Sequence, residues 1–218
     1  MVGHRPLKAS ILVRIQVPQL VAKRRSRGGS PTREYLTYQV FMKKFIIILD
    51  GPMGSGKSTI GEMIAPKLKR TALVNEDKIK WFISDFRRSK RDNAIVRAVL
   101  VAMCKEYLRQ GINLVVAQGF LKKKRPIAPF VAMAKKHKAA LLIYHLDAPK
   151  QILLQRIKER MKGRNKIRGA RPPIAKTRIH RNIKNWKANR YALGKEFATD
   201  KMSAQQVTEA ILREIKLL

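Results

Sequence analysis

Eight consecutive residues, Gly51-Pro52-Met53-Gly54-Ser55-Gly56-Lys57-Ser58, fit the pattern G-x-x-x-x-G-K-[ST], and every fixed position in it has a task in holding a polyphosphate. Glycine at 51, 54 and 56 leaves no Cβ in the way, so that successive backbone N–H groups, that of Ser55 among them, can curl round a phosphate. Lys57 neutralises the β- and γ-phosphates, and Ser58 offers its hydroxyl to Mg²⁺. Thr59 carries the chain into a helix whose positive end points at the same oxygens. The chemistry implied is the binding of a nucleoside triphosphate with its Mg²⁺.

A phosphate cradle does not fix what is done with the phosphate, and the residues beyond the later strands bear on that. Asp77 follows a short apolar run, Thr71–Val74, which places it on the rim that a γ-phosphate would face. A carboxylate there can take the proton of an attacking hydroxyl. Glu76 and Asp77 would also cap a helix beginning near Lys78. Lys80, one helical turn on, is placed to hold an acceptor phosphate. Val115-Val116-Ala117 ends in Gln118, a neutral amide where enzymes that activate water commonly carry a carboxylate. Asp50 reads either as a carboxylate behind the metal or as a strand-end turn residue. Trp81, Phe82 and Phe86 could stack an acceptor base or pack in the core. Lys122-Lys123-Lys124-Arg125 reads either as a grip for a polyanionic acceptor or as a solvated loop.

The elements that must position these groups alternate along the chain. Strands are predicted over Phe45–Leu49, Thr71–Val74, Ile112–Ala117, Ala139–Leu146 and Phe197–Thr199. Between them, helices are predicted from the phosphate loop to about Leu68, and over Lys78–Asp85, Asp92–Gln110, Pro126–His137, Lys150–Arg160 and Arg178–Ala192. Ser203 is the cap of a last helix, Ala204–Leu217, with Glu209 and Glu214 on its exposed face. The expectation is a three-layer α/β/α fold around a mainly parallel five-stranded sheet, with ligands beyond the C-terminal ends of the strands. Arg156 and Arg160, four apart, share one face of the helix before a Gly/Pro/Arg-rich stretch, Met161–Thr177.

The run Gly51–Ser58 followed by Asp77-x-x-Lys80 resembles the P-loop kinases that phosphorylate hydroxyl groups. Within these, the polynucleotide 5′-hydroxyl kinase and zeta-toxin-like group, small AAA-family ATPases, is the most similar. The resemblance spans about Met42 to Leu218 and implies a P-loop NTPase fold of the nucleoside-monophosphate-kinase type with ATP and Mg²⁺ as cofactors. It makes Asp77 the base, while Lys80 stands where polynucleotide kinases have an arginine, which loosens any bidentate grip on phosphate. It makes residues 161–177 a lid, with Arg160 and Arg164 closing over the transferred phosphoryl. It also sets Thr199-Asp200-Lys201-Met202-Ser203 beside the adenine, with Asp200 in contact with the nucleotide. The activity implied is transfer of the γ-phosphoryl of ATP to a nucleic-acid 5′-hydroxyl or a small sugar or nucleotide. The alternative is a weakly hydrolytic, nucleic-acid-binding ATPase that uses the loop as a switch.

Composition limits the setting. The 218 residues suffice for one α/β domain, and no apolar run reaches the ~20 residues of a membrane span. One cysteine, Cys104, in an apolar helical pattern, permits no internal disulfide and fits a buried thiol in the cytoplasm. The net charge of +35 suits a polyanionic partner such as nucleic acid, or else a basic, soluble surface. Eight basic residues and only Glu34 lie in residues 1–41, so that segment carries +7 and the remainder +28. This leader, with its Lys23-Arg24-Arg25-Ser26-Arg27-Gly28-Gly29 stretch, reads as disordered and as the product of a start assigned ahead of Met42. Residues 42–218 are the expected kinase domain.

Overall fold

The run Phe45–Asp50 (FIIILD) is buried at every position, as a strand covered on both faces must be, and it forms β1 at the middle of the sheet. A computed structural model describes residues 44–118, 127–164, 174–189 and 192–217. They fall within one compact unit, Phe41–Leu218. The basic leader, the Lys122–Arg125 run and most of the expected lid lie outside the described residues.

The strands β2 (Thr71–Asn75), β3 (Asn113–Gln118), β4 (Ala140–Asp147) and β5 (Lys195–Ala198) join β1 in the order β2-β3-β1-β4-β5. All four pairings are parallel, so the mainly parallel sheet expected from the sequence is wholly so. Asp50, Gln118 and His145 stand level at the C-terminal ends of β1, β3 and β4. Their neighbour on the outer side, Asn75, ends β2.

Alternation along these strands divides the core into two layers. Ile46, Ile48, Val74, Leu114 and Val116 meet Ile79, Phe86, Val96, Leu100 and Phe130 from α2 (Glu76–Lys80), the turn after it, α3 (Lys90–Arg109) and α4 (Ala128–His137). On the opposite face Ile47, Leu49, Val115, Tyr144 and Leu146 meet Ile60, Ile64, Val207 and Ile211 from α1 (Lys57–Ile64) and α7 (Ala204–Lys216). Ser203 and Gln206 cap α7 reciprocally. A third cluster joins α5 (Lys150–Arg164) to α6 (Lys176–Asn189) through Leu153, Ile157, Ile179 and Ile183, and Met53 of the phosphate loop packs on it. Cys104 is fully buried, and burial pushes its thiol up to about 12.

Two boundaries and one side chain differ from expectation for local reasons. The helix predicted over Lys78–Asp85 is α2, Glu76–Lys80. It starts early because Asn75 accepts from Asp77 N–H at 2.8 Å and caps it, and it stops before Ile83-Ser84-Asp85, which are weak helix formers. Met161-Lys162-Gly163-Arg164, predicted as the start of the lid, instead extends α5, because Met, Lys and Arg propagate a helix well. Glu214, expected on an exposed face, accepts from Tyr144 Oη at 2.8 Å and pairs with Lys195.

Candidate active site

β1 ends and the chain turns at Gly51 into a loop that delivers α1, so that the helix N-terminus opens at the strand ends. Gly54 and Gly56 hold φ of 86° and 93°, a left-handed backbone that side chains disfavour. A Cβ on Gly54 would come to 2.8 Å from the carbonyl oxygen of Leu153. Met53 N–H donates to Asn182 Oδ1 of α6 at 2.9 Å, which ties the loop to the helix that follows the lid segment.

Lys57 Nζ donates to the carbonyl of Pro52 at 2.7 Å and so lies across the loop. Burial lowers its ammonium to about 8, although Asp50 and Asp77 pull in the other direction. Ser58 Oγ accepts from Asn75 Nδ2 at 3.0 Å. Asn75 therefore does two things: its carbonyl positions Asp77 and its amide positions Ser58. The sequence reading missed it, and the signal was an Asx residue between a strand and an acidic helix start.

Asp77 opens its carboxylate to the cleft. Enclosure there raises it, but Lys80 at 2.8 Å, with Lys57 and Arg160 beyond, outweighs this and holds it below the ordinary carboxylate value. It is thus ionised at neutral pH, as a base must be. Lys80 is not the acceptor grip expected of it, because it bridges Asp77 and Glu76, the latter at 3.2 Å.

Asp50 is fully buried at the end of β1, where the chain turns into the loop. Its Oδ2 accepts from the indole N–H of Trp186 at 3.0 Å and lies 3.1 Å from His145 Nδ1. His145 Nε2 is 2.8 Å from the carbonyl of Leu193, which only accepts, so that nitrogen carries a hydrogen. This network fixes β1, β4 and α6 to one another directly under the phosphate loop.

The cleft above has a volume of about 670 Å³. The phosphate loop, Thr59, Asp77, Arg160 and Thr199–Ser203 line it, Asp200 included. Arg156 also borders the cleft. Its guanidinium clamps Thr199, at 3.0 Å to Oγ1 and 2.6 Å to the carbonyl oxygen, and so holds the segment expected beside the adenine. Arg160 acts electrostatically on both Lys57 and Asp77. Arg164 ends α5, and its side chain lies outside the described residues. Of the three aromatic residues considered for stacking, Phe86 is core, Phe82 is exposed, and Trp81 packs edge-on against Phe86 with centroids 5.8 Å apart.

These groups suit a magnesium triphosphate. Ser58 Oγ keeps a lone pair beyond its bond from Asn75. Among the described residues no three His, Cys, Asp or Glu side chains gather into a metal site, so Ser58, phosphate oxygens and water would complete the shell, a common Mg²⁺ arrangement. No described helix is long and apolar enough to cross a membrane.

Among solved structures the chain is similar to shikimate kinase from Acinetobacter baumannii, with 20% identity over 80% of this chain and 94% of that one and a TM-score of 0.53. It is also similar to the APS kinase CysC of Mycobacterium tuberculosis (17%, 80% and 99%, TM-score 0.51). A candidate kinase from Chloroflexus aurantiacus j-10-fl gives 17%, 80% and 98%, with a TM-score of 0.58. At such identities these likenesses establish the fold, that of P-loop kinases. No curated protein matches the sequence. Residues 46–171, more than half of the chain, match the AAA domain family AAA_33, and the chain belongs to that family.

Proposed function

We propose that this protein is an ATP-dependent kinase that transfers the γ-phosphoryl group to a hydroxyl acceptor, with Asp77 as the base. The observation that carries the reading is the shared anchor of Ser58 and Asp77 on Asn75, which couples the phosphate end of the loop to an ionised carboxylate on the same rim. The acceptor hydroxyl gives its proton to Asp77 as its oxygen bonds to the γ-phosphorus. The bond from that phosphorus to the β,γ-bridging oxygen breaks, and ADP leaves with the electron pair. Lys57 and the backbone N–H groups of Gly54–Ser58 neutralise the charge that moves to the leaving oxygens. Ser58 is the residue that would hold Mg²⁺, which would supply further neutralisation of the phosphates. Arg160, with Arg164 beyond it, closes over the transferring group, and Thr199–Ser203 with Asp200 borders the adenine.

The rival is a loop that binds ATP only as a switch while the basic surface holds nucleic acid. γ-labelled ATP offered with separate pools of 5′-hydroxyl RNA, nucleosides, sugars and hydroxy acids separates the two. The kinase reading expects label in one pool, and it fails if ATP binds and no pool is labelled.

A further inference from the structure

The peptide unit between Pro52 and Met53 is held at both of its polar ends. Its N–H, on Met53, donates to Asn182 Oδ1 at 2.9 Å, and its carbonyl, on Pro52, accepts from Lys57 Nζ at 2.7 Å. A peptide unit is planar, with N–H and C=O pointing in opposite directions, so fixing one end fixes the other. The pyrrolidine ring sets φ of Pro52, which leaves ψ of Pro52 and φ of Met53 as the rotations that would turn this unit over. Turned over, it would present an N–H to the Lys57 ammonium in place of a carbonyl. Within the loop itself, the Ser55 N–H bond to the same carbonyl, 3.3 Å long, opposes that turn weakly.

Asn182 is a fixed point for this contact because α6 is anchored apart from the loop's interior. Trp186, one helical turn on and so on the same face, donates its indole N–H to Asp50 Oδ2 at 3.0 Å. Lys187 Nζ donates to the Ala148 carbonyl at 3.1 Å. Ile179 and Ile183 pack with Leu153 and Ile157 of α5, and the Met53 side chain joins the same cluster. At the other end of the contact, the Lys57 ammonium has three donors. One is on the Pro52 carbonyl and a second reaches toward Ser55 Oγ at 3.4 Å, so these two set how the third faces the cleft that Lys57 lines. Asn182 itself is not among the residues that line the cleft.

We propose that Asn182 is a positioning residue for the triphosphate: acting through the Pro52–Met53 peptide, it holds the carbonyl that places the Lys57 ammonium for the β- and γ-phosphates. The assignment rests on the nucleotide-binding part of the kinase reading and is indifferent to the acceptor.

The test follows proton uptake as the full chain binds Mg²⁺–ATP, by calorimetry in buffers of different ionisation enthalpy from about pH 6 to 10. Burial lowers the Lys57 ammonium to about 8; of the charges facing it, Asp50, Asp77 and Glu76 raise it and Arg160 lowers it. All four side chains remain in the Asn182 variants, so a moved midpoint of uptake reports the carbonyl contact. Asn182→Ala, and Asn182→Leu of nearly the same shape, remove the acceptor. Each should lower the midpoint by about one pH unit, as loss of a hydrogen bond to a charged group does, and weaken ATP roughly fivefold at pH 8. Asn182→Asp keeps an oxygen for Met53 N–H and should hold the midpoint at or above the wild-type value. Lys187→Met loosens α6 without touching the peptide, so it should leave the midpoint unmoved even where denaturation shows lost stability. Should one apolar variant fail to fold, the other decides.

The proposal is overturned if the apolar variants bind ATP with the wild-type midpoint, or if Asn182→Asp or Lys187→Met lowers it as far as they do. Either result leaves the kinase reading standing. The predicted shifts in a protein that labels no acceptor would sink the kinase reading and support the assignment. A wild type that binds no ATP would sink both.

Discussion

Lys57 gives the account a quantitative handle, because burial holds its ammonium near 8 instead of the ordinary 10.5. A bound triphosphate favours the charged form and must raise that value again. Above pH 8, ATP binding therefore requires uptake of a proton that the free protein has lost. At pH 9 only about one free molecule in ten carries the ammonium, so affinity should fall roughly tenfold per pH unit, or ~1.4 kcal/mol. Proton uptake should rise from ~0.1 per ATP at pH 7 to ~0.9 at pH 9. Calorimetry in buffers of matched pH and different ionisation enthalpy reads that number directly. ATP's last phosphate proton, with a pKa of ~6, is gone before this window opens. The sign for folding runs the other way. Between about 8 and 10.5 the folded chain binds fewer protons at Lys57 than the unfolded chain, so this group adds stability as pH rises. Weakened binding at pH 9 is then not incipient unfolding at this site. Lys57→Arg, permanently charged, should abolish the uptake. Flat affinity and no uptake at pH 9 in the wild type would refute the reasoning.

Asn75→Ala removes the cap on α2 and the contact to Ser58 together, so urea denaturation should show a loss of about 1–2 kcal/mol, with weaker binding of the Mg²⁺–nucleotide. His145→Phe leaves Asp50 buried without its imidazole and should cost about 3 kcal/mol or more in the same assay. Arg156→Ala frees Thr199 and the segment beyond it. Nucleotide affinity should drop roughly tenfold while stability changes by ~1 kcal/mol or less, which paired calorimetry and denaturation can resolve.

How much of this could be read from the chain depends on the sequence distance over which each feature is built. Gly51–Ser58 is contiguous, and its glycine spacing and Lys-Ser end survive any context, so the loop, its strand and its helix were legible. The position of Asp77 at the cleft was legible because ligands bind beyond the C-terminal ends of parallel strands. Lys80 was misread because a one-turn spacing that could serve an acceptor equally lets it fold back on Asp77 and Glu76. Asp50, His145 and Trp186 meet from β1, β4 and α6, and no local pattern announces a contact 95 or 136 residues away in sequence.

The central claim, that Asp77 takes the acceptor's proton, is tested most directly by Asp77→Asn. The variant keeps the side chain's shape and removes its basicity. Measured side by side, binding of Mg²⁺–ATP should stay within a few-fold of wild type, while transfer to the acceptor pool that wild type labels should fall by about 10²–10⁴. Transfer at the wild-type rate by the Asp77→Asn variant would contradict the account.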